Sequence, residues 1–340
     1  MNYKLLASLV LAAGIAFARP VAFIAQEAGK AAEILAATRK AIGDKKLDGL
    51  KTFSVQSALQ RNVQTMQLIS DVEILLELPD KYLKSEESSG GGGGMVRMSG
   101  GGVTGFNGDR PLQKVTGGAP TVSGGGGMVI RMGGAPGGPV PGSTEKPTAE
   151  QLAQMSKAMV RGSQTEASRL MLGWFAMAHP SINAQYTYAG EAESPDGKAW
   201  VIDVKNADNF AARLFIDEQT HLPLMVTYKG PQPRMMTQSI GTPPPAGSGS
   251  GHTVTMTSSM SEEERKKAQA DMAKQVQELQ RQPPVMVDFT VFFDDWREAD
   301  GVKFPFKMRR AMGSETTEEW TVSKVKVNPK IDPKRFAGES

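Results

Sequence analysis

The sequence predicts an α+β fold in which helices pack against a curved, mostly antiparallel β-sheet. Three observations predict it. Residues 71–78 alternate, with Val72, Ile74, Leu76 and Leu78 on one side and Asp71, Glu73 and Glu77 on the other. Such alternation marks a strand with one face on a core and one in water. The segments LFIDEQTHLPLMV, WREADGVKFPFKM and KVKVNPKIDPKRF read as successive strand–turn–strand units. Helical spacing, in contrast, is confined to stretches before and between the strands.

The first such stretch is residues 27–42. Ile34, Leu35, Thr38 and Ile42 share a face, Lys30, Arg39 and Lys40 turn outward, and Gly43 ends the helix. A β pattern begins at Phe53. In the strand at 71–78, Leu75 interrupts the polar side and Pro79 stops the run. From Ser88 the chain becomes glycine-rich and repeats itself, as GGGGMVRM ending at Met98 and GGGGMVIRM ending at Met132. Between the repeats, GFNGDRPLQKV predicts a strand pair around an Asn107-Gly108 turn. The rest of 88–146 lacks the apolar area to offset the entropy of ordering it, and is expected to be a flexible insertion.

Residues 147–178 predict helix. Thr148 with Gln151 forms a capping box, and Leu152, Met155 and Met159 line one face. After Gly162 a second segment gathers Leu170, Met171, Trp174, Phe175 and Ala178. Strands follow at 185–189, 199–204, 213–217 and 224–228. A proline- and glycine-rich loop from 231 leads into a charged helix at 261–282, where Ser261 and Glu262, Glu263 and Glu264 suit the positive end of the helix dipole. The last strands fall at 285–293, 304–310 and 317–327.

Composition narrows the function. Over 340 residues, 39 Lys and Arg against 36 Asp and Glu leave a net charge of +3. That balance offers no electrostatic argument for nucleic acid. The N-terminus has the pattern of an export signal: Lys4, an apolar run over 5–15, and Ala16-Phe17-Ala18 for cleavage before Arg19. The expectation is a leader over 1–18, a tail over 19–26, and one domain over 27–340 interrupted at 88–146 and 231–282. Two domains also fit the length. With no cysteine there is neither lipobox nor disulfide. No second run of membrane length follows, so the mature chain is expected to be periplasmic with no membrane span.

GFNGDRPL, RLMLGWFAMAHP and VDFTVFFDDWREADGVKFPFKM resemble, in order and pattern, the turn element, lid helices and late hairpin of the periplasmic lipoprotein-carrier (LolA-like) superfamily. The resemblance implies a half-open barrel with helices covering its concave face, and a hollow that binds lipid tails. It departs in two respects. The best-known carriers place an arginine before the proline that ends an early strand, where this chain has Leu78. The glycine-rich insertions are also foreign to simple carriers.

A lipid site needs a concave apolar wall and a movable cover. Val72, Ile74, Leu76, Val287, Phe289 and Val291 are the candidate wall, and Met171, Trp174 and Phe175 the candidate cover. The same residues also suit a closed core, which is the commoner fate of large apolar side chains. The function expected is non-catalytic binding or transport of a lipid or lipoprotein acyl chain, with no cofactor and no catalytic set. One alternative is an envelope-stress sensor or interaction module with a protein partner. A weaker one is Cu(I) binding by Met95, Met98, Met128, Met132, Met235, Met236 and Met256 near His252. Arg97 and Arg131 inside the repeats oppose a cation. His179 before Pro180 ends a helix and His221 lies in a turn, so neither forms a metal set. Gly100 to Gly105 matches a dinucleotide fingerprint by chance, because no helix follows it.

Overall fold

The computed structural model describes residues 21–63, 66–88, 96–97, 101–116, 121–122, 127–132, 148–194, 197–233, 235–240, 252–256, 261–263, 267, 270 and 282–337. The expected leader and most of the charged helix at 261–282 lie outside the described residues. The elements, in chain order, begin with α1 (Val21–Ile42), α2 (Lys45–Asp48), β1 (Thr52–Val63), β2 (Met66–Glu77) and β3 (Lys81–Ser88). Next come β4 (Val96–Arg97), β5 (Gly101–Asn107), β6 (Arg110–Thr116), β7 (Thr121–Val122), β8 (Gly127–Met132) and α3 (Ala149–Phe175). Then follow β9 (Gln185–Ser194), β10 (Gly197–Lys205), β11 (Ala211–Asp217), β12 (Pro223–Pro231), β13 (Met235–Ile240) and β14 (His252–Met256). The chain closes with β15 (Met286–Ala299), β16 (Val302–Met312) and β17 (Glu315–Val327).

One 12-stranded sheet, in the order β6-β5-β3-β2-β1-β17-β16-β15-β12-β11-β10-β9, carries the fold. Each of its neighbouring pairs is antiparallel. The strands at its two ends, β6 and β9, do not pair with each other, so the sheet is a half-barrel rather than a closed one. Within the sheet β3 pairs with β5, and β12 pairs with β15 across the proline- and glycine-rich loop that begins at 231.

Alternation along the strands sends one set of side chains inward. On β1 these are Phe53, Val55 and Leu59, and on β2 Val72, Ile74 and Leu76, all buried in one core with α1 and α3. Leu75, which interrupts the polar side of β2, faces outward and joins a second cluster with Leu83, Leu112 and Phe336. The C-terminal turn over Pro333–Phe336 therefore closes the back of β2 and β3.

The helices differ from expectation in two places. α1 starts at Val21 rather than 27, since nothing between Pro20 and Glu27 breaks a helix. α3 runs unbroken through Gly162. A glycine costs a helix about 1 kcal/mol, which packing of the flanking turns outweighs. The predicted capping box is present: Gln151 N–H donates to Thr148 Oγ1 at 3.2 Å, and Thr148 N–H to Gln151 Oε1 at 2.8 Å. Ala176, left-handed at φ 52°, ends α3.

Within 88–146, expected to be flexible, the described stretches include strands. β5 and β6 form the predicted hairpin and belong to the main sheet. β4 pairs with β7, and β8 with β13, which also pairs with β14. The Met-Val-Ile-Arg-Met run has the β propensity for this. The register sets Met132 opposite Met235 and Met236 opposite His252. Met95 and Met98 lie outside the described residues.

Candidate functional site: an aromatic plug beneath a charged rim

The C-terminal half of α3 lies in the hollow of the sheet. Trp174 and Phe175 are fully buried. The Phe53 ring stands 4.8 Å from Phe175 in an edge-on arrangement and 5.4 Å from Phe304. Trp174 lies 5.2 Å from Phe304. Its indole N–H donates to Met308 Sδ at 3.1 Å, a weak acceptor for a buried donor. Aromatic pairs at such spacings add about 0.5–1.5 kcal/mol each beyond their burial.

The predicted wall and cover are largely brought together. Val72, Ile74, Leu76 and Val291 line the same cluster as Met171, Trp174 and Phe175. Two predicted residues stand apart. Phe289 is buried but stacks on Tyr228 at 5.3 Å, outside that cluster. Val287 is half-buried, near the start of β15 where the core ends. Alternation alone does not reveal where along a strand the helix cover stops.

Beyond the apolar row lies a row of charge that the sequence reading missed. Register sets Leu59, Trp320 and Met308 abreast on β1, β17 and β16. One inward position further on, Arg61, Glu318 and Arg310 stand abreast. Arg61 Nε donates to Glu318 Oε1 at 3.0 Å, and Arg310 Nη1 meets Glu318 Oε2 at 3.0 Å. The Arg61 guanidinium also grips Glu86 through both terminal nitrogens, one of them at 3.0 Å. Lys84 Nζ donates to Glu166 Oε1 at 3.0 Å, which ties the middle of α3 to β3.

Burial alone would raise the Glu318 carboxyl, but Arg310, Arg61 and Lys84 bring it down to about 2. Glu166 is likewise held low by Lys84 and Arg310 against its burial. Burial pushes the Tyr82 phenol well up, reinforced by Glu166. Sequence did carry a signal for this row. Lys84 and Glu86 continue the inward parity of Tyr82, Arg61 that of Leu59, and Arg310 that of Met308. A charge at an apolar parity marks a rim or a buried ion pair.

The count of charge is uneven. Arg61, Lys84, Arg169 and Arg310 face Glu86, Glu166 and Glu318. Among the described residues Arg169 has no carboxylate within ion-pair distance; its guanidinium lies 3.6 Å from the centre of the Tyr228 ring.

A groove of about 670 Å³ runs elsewhere, between α1 and β9, past Lys30, Glu33, Tyr188 and Gly190. It is open and charged, with Lys30 Nζ 3.9 Å from the Tyr188 ring centre, and is a poor place for an acyl chain. Among the described residues no group of three or more His, Asp or Glu is placed to hold a metal. Nor is any described helix long and apolar enough to cross a membrane.

No family model and no curated protein matches the chain. Three of the solved structures similar to it follow. A LolA superfamily protein of Nitrosomonas europaea is 8% identical, with 90% of this chain and 97% of that one covered at a TM-score of 0.42. A domain described as outer-membrane lipoprotein-sorting, from Vibrio parahaemolyticus, is 10% identical over 91% and 97%, at 0.40. A DUF1329 family protein from Desulfovibrio piger is 8% identical over 92% and 97%, at 0.40. At these scores the likeness carries neither ligand nor activity across.

Proposed function

We propose that the protein is a non-catalytic carrier or binder of an acyl chain, from a lipid or an acylated lipoprotein. The observation that supports this best is the plug. In the hollow of an open-edged sheet, Leu170, Met171, Trp174 and Phe175 of α3 meet their surroundings through apolar contact and one weak hydrogen bond to sulfur. An acyl chain replaces such contacts like for like. In this reading the Lys84–Glu166 pair holds α3 at its middle while the turn from Leu170 to Phe175 lifts. Export to a periplasm, on the leader pattern from Lys4 to Ala18, belongs to the same reading.

Magnitudes set the length of chain required. Lifting Leu170, Met171, Trp174 and Phe175 out of the core costs about 8 kcal/mol, at about 2 kcal/mol for each side chain. Each buried methylene returns about 0.8 kcal/mol, so about ten methylenes break even. Displacement of a fluorescent acyl probe by fatty-acyl glycerols of increasing chain length tests this. Chains of about sixteen carbons displace the probe, and chains of about eight do not, on the same per-methylene value. Displacement independent of chain length contradicts the reading.

A second reading, an interaction module for an envelope protein, draws on the unpaired edges. β9 ends the sheet, and its residues range from half-buried to exposed. A partner strand adds to such an edge through main-chain hydrogen bonds. A protein that co-purifies without lipid, and is lost when β9 is blocked with proline, favours that reading.

A further inference from the structure

The rim of the hollow contains more hydrogen-bond donors than the protein itself satisfies. The Tyr82 hydroxyl is fully buried and has no hydrogen-bond partner. Arg169 Nε and Arg310 Nε are buried and also lack one. Leaving a buried donor unmade costs about 1–3 kcal/mol, so three in one neighbourhood call for an acceptor. They act on one another: the Arg310 charge is felt at both Tyr82 and Arg169. Each rim carboxylate is already taken, Glu86 by Arg61, Glu318 by Arg61 and Arg310, and Glu166 by Lys84. Arg169 is the cation left over. The rim also remains reachable, since the Arg310 side chain keeps 22% of its exposure and Glu166 29%.

We infer that this rim receives an anionic head group, a phosphate or carboxylate, at Arg169 and Arg310 with the Tyr82 hydroxyl as a further donor. The inference rests on the acyl-binding reading and deepens it by naming the head of the amphiphile. The geometry suits one molecule with two ends. Register puts the charged row of Arg61, Glu318 and Arg310 directly beside the apolar row of Leu59, Trp320 and Met308. Trp320 marks the boundary, with Lys84 Nζ 5.1 Å from its ring centre and its own N–H directed at Glu318 at 3.4 Å. Arg169 sits just before Leu170, where the plug begins. A chain that lifts the plug would therefore leave its head beside this residue.

The test measures affinity for a lysophosphatidylglycerol, for the uncharged monoacylglycerol of equal chain length, and for inorganic phosphate. Wild type is compared with Arg169→Gln and Tyr82→Phe, each first checked for a native circular dichroism spectrum. The expected result is a preference of about tenfold or more for the anionic amphiphile, the size of one or two charge-assisted hydrogen bonds. That ratio falls towards one in Arg169→Gln and falls in part in Tyr82→Phe. If Arg169→Gln does not fold, loss of the wild-type preference at high salt together with the Tyr82→Phe result reads the same contact. Equal affinity for the two amphiphiles in the wild type overturns the head-group assignment and leaves acyl binding standing. Binding of phosphate without either amphiphile overturns it in favour of a free anion. Binding of none of the three overturns both readings.

Discussion

The end of the Phe293 ring of β15 meets Gly173 of α3, so close that a Cβ at Gly173 would fall 1.8 Å from its Cζ. No side chain fits there unless the ring or the helix moves. The contact fixes how deeply α3 sits in the hollow.

Gly173→Ala should therefore loosen the plug. Overpacking of this kind costs about 1–3 kcal/mol, read as a lower midpoint in urea. Because the cover is already partly lifted, affinity for a long-chain amphiphile should rise as stability falls. Phe293→Leu in the same chain should restore part of the stability.

Glu318→Gln should cost about 3 kcal/mol, because it leaves Arg310 without its carboxylate in a largely buried setting. Lys229→Ala removes a pair of similar length at 2.8 Å, but with both side chains about 70% exposed. Its cost should stay within about 0.5 kcal/mol. Equal costs in urea unfolding would show that the rim behaves as ordinary surface.

Acid should destabilise the fold in two stages. Burial lowers the His179 imidazole from 6.5 to about 4. Its Nε2 is buried without a partner, and its ring stands edge-on to Phe106 at 5.2 Å. Between those pH values the unfolded chain binds more protons than the folded one. Stability is therefore complete above pH 6.5 and falls by about 3 kcal/mol as pH drops towards 4. Glu318, held at about 2 against 4.5 in the unfolded chain, extends the loss below pH 4.5. His179→Gln should flatten the first stage and leave the second.

Phe304→Asp places a charge in the centre of the plug contacts and should abolish acyl-probe binding. Lys30→Ala, in the open groove between α1 and β9, should leave it unchanged. The opposite pattern would move the site to that groove.

Much of this fold was legible because strand alternation is a local property. Val72, Ile74 and Leu76 declare their shared face without knowledge of their neighbours, and Thr148 with Gln151 declares the start of α3. What was not legible depends on register. That Arg61 stands abreast of Glu318 and Arg310 follows from the pairing of β1 with β17, strands more than 200 residues apart in the chain, while Glu318 and Arg310 meet across the β16–β17 hairpin. The placement of Phe289 on Tyr228 rather than in the plug has the same origin. Propensity favours a break at Gly162, and the packing of Val160 and Ala167 on either side overrides it.

In a carrier of the proposed kind, an acyl chain takes the place of Trp174 and Phe175 in the hollow. Mass spectrometry of an organic extract from the gently purified, periplasmically expressed protein reads that exchange. The expected extract holds a stoichiometric amphiphile with a long acyl chain, carried in greater yield by Gly173→Ala. An extract free of lipid from folded protein of both kinds would mean that the plug is a permanent core and that no acyl chain displaces it.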